Sequence, residues 1–286
     1  MATILICGHR SYAARGLEQT LKSQGHSVLC FSRGELKRDG NVITGPVYEI
    51  DKNPNFSEHV DVVINFILLH QCSVEDNEKY IKVLLRFCKN KGISRLIQIS
   101  SISSYPNNLE VISENTPTEE DIYAKGPYGS IKAIADKVLE EARKNMKFEI
   151  LFVRPGYIVA SDNPHPYKGV AKFFTKRFAV LIGDKKATLP CIRREVLHLG
   201  LAEIIIQENP LPVYLMIEER MNTKYSYFKS QTNAFVLPIP RWLVFFIADA
   251  AKLIHVIDMR KNLTIKGVFK RNHFDNNVTK DKIKAL

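Results

Sequence analysis

Three kinds of side chain in this sequence could together carry out acid–base chemistry at a carbon–oxygen bond. Tyr128 and Lys132 are four residues apart, so a helix would place them on one face. The lysine ammonium would then lower the pKa of the tyrosine hydroxyl. A segment with four serines, residues 99–105, precedes them and could supply a hydroxyl that holds a substrate oxygen. Such a set moves a proton while a nicotinamide moves a hydride.

Strand and helix patterns alternate through the first half of the chain and would position these groups. Apolar runs predict strands at residues 3–7, 27–31, 42–50, 60–69, 95–99 and 148–153. Helical patterns fall at residues 12–24, 78–90 and 128–145. This alternation predicts an α/β fold with a Rossmann-type, doubly wound parallel sheet. The alternation ends after Gly156, so we expect an NAD(P)-binding domain at 1–156 and a smaller substrate-binding lobe at 157–286.

The first strand–helix turn is a candidate dinucleotide site. It reads Gly-x-x-Ser-x-x-Ala, where small residues let the backbone approach a pyrophosphate. The second position, usually glycine, is serine here, which is a departure from the common pattern. The residues predicted to contact the cofactor in this turn are Gly8, His9, Arg10, Ser11 and Ala14.

The end of the second predicted strand indicates which cofactor is bound. Ser32 and Arg33 stand where NAD enzymes carry an acid that binds the ribose hydroxyls. An arginine there accommodates the 2′-phosphate of NADP, and Arg10 could reach the same phosphate. The sequence therefore favours NADP(H) over NAD(H). The alternative is that both arginines are ordinary surface charges.

In their order and spacing, these features resemble the extended short-chain dehydrogenase/reductases, the NAD(P)-dependent epimerase/dehydratase family. The resemblance extends from about residue 3 to 159 and weakly beyond. It rests on the glycine turn, the strand 61–65, Asn77, the serines after residue 99, the Tyr128–Lys132 pair and the segment 154–156.

The resemblance implies roles for individual residues. Ser101 and Tyr128 would be catalytic, with Ser103 as the reserve serine on the substrate side. Lys132 would also bind the nicotinamide ribose. Three further positions, Asn65, Phe66 and Asn77, would lie at the cofactor or hold the active-site helix. Members usually have small residues after the asparagine that ends the fourth strand, whereas this chain has Phe66 and Ile67.

The positive charge is concentrated in the second half of the chain. The net charge is +11, and residues 165–195 and 260–286 each contain eight Lys or Arg against two acids. Such segments attract nucleic acid, are solvated surface, or attract an anionic small substrate. The sequence contains no nucleic-acid-binding motif. If the charge attracts an anionic substrate, the residues expected to face its diphosphate are Arg193, Arg194, Lys172 and Lys176.

These observations predict an NADP(H)-dependent reductase, or secondly an epimerase, that acts on a keto group of a nucleotide-diphosphate sugar. A dehydratase ranks third because the serine-rich loop carries no acid. The alternative is a catalytically weak or inactive dinucleotide-binding regulatory or RNA-associated protein of the same fold. No metal cluster, signal peptide or membrane span is expected, and five dispersed cysteines favour the cytoplasm. A homodimer is implied by resemblance alone.

Overall fold

The computed structural model describes residues 1–70, 72–106, 109–122, 125, 127–162, 171–175, 177–181, 185–218, 223–226, 234–256 and 273–286. The strands of the first half are β1 Thr3–Cys7, β2 Ser27–Arg33, β3 Lys37–Asp39, β4 Val42–Gly45, β5 Val62–Asn65, β6 Arg95–Ile99, β7 Val111–Ser113 and β8 Glu149–Pro155. Those that follow are β9 Tyr157–Val159, β10 Ala171–Thr175, β11 Phe178–Leu181, β12 Cys191–Arg193, β13 Val213–Met216, β14 Phe235–Pro238 and β15 His273–Asp275. The helices are α1 Leu17–Ser23, α2 Val74–Lys91, α3 Pro127–Arg143, α4 Arg194–Ile206, α5 Arg241–Leu253 and α6 Asn277–Lys282.

One large sheet organises the described chain. Its strand order is β13-β8-β6-β5-β1-β2-β4-β3, and every neighbouring pair is parallel except β3 with β4. Strand order reverses at β1, which pairs with β2 on one side and β5 on the other. In an open α/β sheet, ligands bind outside the carboxyl ends of the strands at such a point. The predicted Rossmann-type fold class is confirmed.

Helices cover both faces of this sheet because its strands are apolar on both sides. On one face, α2 and α3 bury residues such as Tyr80 and Leu139 against β6 and β8. On the other face, α1 and α4 bury Leu17 and Leu197. These two apolar layers fix the strand ends, and therefore the loops that follow them, in a rigid frame.

Several elements differ in extent from the prediction. Helix α1 begins only at Leu17, because Gly16 adopts a left-handed conformation with φ of 96° and interrupts the pattern predicted from residue 12. Strand β4 ends at Gly45, since Pro46 leads into a 3-10 helix at Val47–Lys52. Helix α2 begins earlier than predicted, at a capping box formed by Ser73 and Asp76.

The second half of the chain contributes to the large sheet and also builds small sheets of its own. Strand β13 pairs with β8, so the chain returns to the large sheet well after residue 156. Strands β10, β11 and β14 form a separate three-stranded sheet, and β9 pairs with β12. No helix in the described ranges is long and apolar enough to cross a bilayer.

Candidate active site

A cleft of about 660 Å³ lies at the carboxyl ends of the large sheet. Its size is within the usual range for a small-molecule site. The loops after β1, β5, β6 and β8 contribute its walls, as the topology requires. Six of the predicted site residues line this cleft: Ser11, Phe66, Ser101, Ser103, Tyr128 and Lys132.

The hydroxyl groups of the predicted catalytic set are hydrogen bonded to one another. Ser101 follows β6 and caps a short 3-10 helix, where its Oγ accepts a hydrogen bond from the Ser103 amide at 3.1 Å. The Ser103 hydroxyl also donates to the Ser101 Oγ, at 2.9 Å. Tyr128, in the first turn of α3, hydrogen bonds with the Ser101 side chain and remains 44% exposed. A tyrosine and two serines therefore converge on one point of the cleft.

The electrostatics of Tyr128 differ from the expectation. Burial raises the pKa of its hydroxyl, and the hydrogen bond with Ser101 partly opposes this rise. In this structure burial therefore dominates the pKa of Tyr128. Lys132 is 5% exposed, and its Nζ donates to the Ile99 carbonyl at 2.6 Å. Burial lowers the pKa of Lys132 to about 8, and Asp136 opposes that shift.

A buried ion pair behind Lys132 was missed by the sequence analysis. Asp136 and Arg154 are essentially inaccessible, and Arg154 Nη2 lies 3.2 Å from Asp136 Oδ2. The same carboxylate oxygen accepts the Ser100 hydroxyl at 2.7 Å. The pair ties α3 to β8 and to the serine-rich loop. The signal was present, because Tyr128, Lys132 and Asp136 follow one another at four-residue spacing on one helix face.

His70 was also missed and lies directly against Tyr128. The two rings stack with centroids 5.9 Å apart and an interplanar angle of 16°. Burial, followed by the charge of Lys132, lowers the pKa of His70. His70 therefore adds a second aromatic ring to the cleft wall beside Tyr128. A lone histidine in a loop after β5 has no sequence pattern that identifies it.

The glycine turn is held against the loop after β5. Gly8 has φ of 83°, and its amide donates to the Phe31 carbonyl at 2.7 Å. A Cβ at this position would lie 3.0 Å from Ile67 Cγ1, so only glycine fits without a shift. Within this turn Ser11 lines the cleft and Ala14 is buried. His9, Arg10 and Ala14 line a neighbouring surface depression.

Two residues predicted to contact the cofactor, Asn65 and Asn77, instead hold a loop of the cleft wall in place. Asn65 is fully buried; its side chain donates to Gln98 and accepts from Tyr80 and from the Ile67 amide. Asn77, on α2, donates to the Leu69 carbonyl and accepts from the Leu69 amide. Neither lines the cleft. Both hold the loop of residues 66–69 that forms part of the cleft wall.

The end of β2 carries a buried serine followed by an exposed arginine. Ser32 is 6% exposed, and its Oγ has no hydrogen-bond partner among the described residues. Arg33, the next residue, is exposed. Neither Ser32 nor Arg33 lines the cleft.

The predicted substrate arginines are not brought to the cleft. Arg193 pairs with Glu218, with Nε at 2.9 Å and Nη2 at 2.8 Å from Oε1. Arg194 pairs with Asp162 at 3.1 Å and stacks over the ring of Tyr12. Of these residues only Tyr12 lines the cleft.

The side chains of the other two predicted substrate cations are not among the described residues. Lys172 lies on β10, where only its backbone is described, and Lys176 lies outside the described residues. The cations that line the cleft in the described ranges are Lys132 and Lys224. In the same ranges, no group of three or more His, Cys, Asp or Glu side chains is arranged to hold a metal ion.

The reversed strand order, the glycine turn and the cleft at the carboxyl edge define a Rossmann-type dinucleotide-binding protein. The model of the NAD dependent epimerase/dehydratase family matches residues 4–189, and the chain belongs to that family. The predicted resemblance is therefore confirmed. So is the enzyme class, an NAD(P)-dependent oxidoreductase or sugar-nucleotide epimerase. No curated protein matches the sequence significantly.

Solved structures share the fold over nearly the whole chain. A short-chain dehydrogenase/reductase superfamily protein from Agrobacterium tumefaciens with bound NAD has a TM-score of 0.72 at 12% identity, covering 99% of this chain and 91% of that one. UDP-glucose 4-epimerase from Thermotoga maritima has a TM-score of 0.71 at 13% identity, covering 99% and 92%. dTDP-glucose 4,6-dehydratase from Bacillus anthracis has a TM-score of 0.69 at 14% identity, covering 99% and 91%.

Proposed function

We propose that this protein is an NADP(H)-dependent reductase that acts on a keto group of a nucleotide-diphosphate sugar. One observation carries the proposal: Ser101, Tyr128 and Lys132 meet in a single cleft beside Phe66 and Ser11. The cleft lies where this fold binds a dinucleotide. Solved structures with this fold include a UDP-glucose 4-epimerase bound to UDP-glucose.

The residues of the chain would handle the proton and the substrate oxygen. When bound, the cofactor supplies the hydride. Tyr128 would donate its proton to the substrate oxygen as that oxygen gains charge, and Ser101 would hold the same oxygen through its hydroxyl. Lys132, once turned from the Ile99 carbonyl, would bind the nicotinamide ribose and place positive charge beside the phenol. Arg33, with Arg10, would face the 2′-phosphate.

Replacement of Tyr128 tests the catalytic assignment. We expect Tyr128→Phe to lower turnover by about 10²-fold or more while NADPH affinity stays nearly intact, because only the transferable proton is lost. The assay is NADPH oxidation, followed by absorbance, with a keto-sugar nucleotide. The matched control is Tyr157→Phe, because Tyr157 lines the same cleft and is similarly exposed, at 40%. Near-normal turnover of Tyr128→Phe would exclude this tyrosine as the acid.

Cofactor stoichiometry separates a reductase from an epimerase with the same residues. A reductase consumes one NADPH for each product formed, whereas an epimerase returns its cofactor unchanged. Product analysis beside the absorbance trace therefore decides between them. Sugar-nucleotide epimerisation without net loss of NADPH would replace the reductase by the second candidate.

The second candidate function is that of a dinucleotide-binding regulator without catalytic activity. The glycine turn departs from the common pattern at Ser11, and α1 begins only after Gly16. A regulator would bind the dinucleotide with no requirement for the serine and tyrosine hydroxyls. In that case the wild type would bind the dinucleotide, but no keto-sugar nucleotide would accelerate NADPH oxidation.

A further inference from the structure

Helix α5 exposes large apolar side chains. Trp242 is 70% exposed, Phe246 69% and Leu253 81%. Ile247, on the same helix, is 55% exposed, and Ile254 immediately after it is 68% exposed. Scattered exposed apolar residues are ordinary, but a set this dense within one helix marks an interaction surface.

The large apolar residues exposed on α5 lie on one continuous face, whose edge also carries the exposed acid Asp249. At about 100° per residue, Trp242, Phe246 and Leu253 fall within about 40° of one another. Ile247 and Ile254 extend this face to about 140°. The opposite side includes Ala248, which is 3% exposed. Ala248 is therefore turned toward the protein, whereas Trp242, Phe246 and Leu253 are turned toward solvent, which an ordinary surface helix reserves for polar residues.

The sheet that precedes α5 exposes further apolar surface. Phe178 stacks with Phe235 at 6.2 Å and contacts Phe174 at 6.0 Å. Phe235 and Phe174 are 61% and 58% exposed. Phe235 begins β14, which leads into α5 through Pro240. Exposed apolar side chains therefore occur both on α5 and on the small sheet that contains the preceding strand.

Charge identifies the partner that this surface fits. The chain carries a net charge of +11, and residues 260–271, which follow α5 in sequence, include five Lys or Arg and no acid. A second copy would bring like charges together, whereas an anionic lipid surface is complementary to them. A tryptophan and a phenylalanine on the apolar face of a helix, in a chain of positive net charge, are typical of proteins that bind a membrane interface.

We propose that α5 binds the surface of an anionic bilayer and inserts Trp242, Phe246 and Leu253 among the lipid headgroups. The helix has 13 residues and lies along the surface without crossing it. The reductase cleft would then operate beside a membrane. The proposal concerns a surface distinct from the cleft, and it stands whether or not the proposed activity is correct.

Trp242 makes the test direct because it is the one tryptophan in the 286-residue sequence. The full-length protein is mixed with vesicles of phosphatidylglycerol and phosphatidylcholine in equal parts, or of phosphatidylcholine alone. With the anionic vesicles we expect a blue shift of tryptophan emission, quenching by brominated acyl chains, and co-sedimentation that weakens at high salt. Neutral vesicles should give at least about tenfold weaker binding, since each basic residue near an anionic surface contributes to affinity.

Two variants and one control test the face itself. Phe246→Glu and Leu253→Glu should each weaken vesicle binding by about tenfold or more, because each removes a large inserted side chain. Both positions are exposed, so folding, checked by circular dichroism, should be retained. The control is Ile206→Glu at the end of α4, which is 69% exposed and should bind as the wild type does.

Three outcomes would overturn the proposal. One is the absence of a blue shift and of co-sedimentation with either kind of vesicle. A second is equal binding by Phe246→Glu and the wild type, which would place the lipid contact elsewhere. The third is a concentration-dependent blue shift without lipid that Leu253→Glu abolishes, which would assign the face to a second copy of the chain.

Discussion

Removal of the Asp136 carboxylate should leave a buried charge without its partner. Arg154 is 1% exposed, and its guanidinium lies between Asp136 and the rings of Tyr105 and Phe152, at 4.8 and 5.5 Å. In Asp136→Ala the remaining carboxylate would be Glu140, at 3.6 Å and half-exposed. Breaking a buried pair costs about 3–5 kcal/mol. Glu140 offsets part of this, so we expect a loss of about 3 kcal/mol.

Thermal unfolding followed by circular dichroism measures this loss. For a chain of this size, about 3 kcal/mol corresponds to a fall in Tm of roughly 6–12 °C. The double variant Asp136→Ala/Arg154→Met removes both charges and should recover part of the stability, because no unpaired charge remains. A single variant that loses less than about 1 kcal/mol, or a double variant no more stable than the single one, would refute the reasoning.

A milder change separates the pair's structural effect from its effect on Lys132. Asp136→Asn preserves the shape and an acceptor for Ser100 but removes the negative charge that raises the Lys132 pKa. We expect the alkaline limb of the pH–turnover profile to move to lower pH in Asp136→Asn. A purely structural role would lower Tm and leave that limb in place.

Three further predictions concern charge. Arg33→Ala should erase a preference of about tenfold, or about 1.4 kcal/mol, for NADPH over NADH, measured by titration with Lys37→Ala as control; equal wild-type affinities would contradict it. Burial lowers the Lys132 pKa from 10.5 to about 8, so the unfolded chain holds this proton more tightly between those values. The free energy of unfolding of the wild type, relative to that of Lys132→Met, should therefore rise as the pH rises from about 8 to about 10.5. Urea unfolding at both pH values measures this, and a constant difference would be evidence against it. Arg193→Ala should lower the free energy of unfolding by about 1–3 kcal/mol, because it leaves Glu218, which is 7% exposed, without this partner. The Michaelis constant should not change. A raised Michaelis constant with unchanged Tm would instead support a role of Arg193 in substrate binding.

The sequence by itself was sufficient for the fold class, although not for strands β3 and β13 of the large sheet. Apolar runs such as residues 60–69 and 95–99 reveal strands buried on both faces, and their alternation with helical patterns permits few topologies. The Tyr128–Lys132 spacing and the serines after β6 were visible for the same reason. Local periodicity and the order of motifs along the chain carry that information.

Only the tertiary structure showed which charges are already paired. Arg193 and Arg194 looked available for a phosphate, but Glu218 and Asp162 reach them from distant parts of the chain. Asp136 likewise finds Arg154 across two elements, and His70 finds Tyr128. Burial and electrostatic partners depend on which elements meet in space. The spacing of residues along a sequence therefore predicts a helix face but not the groups that oppose it.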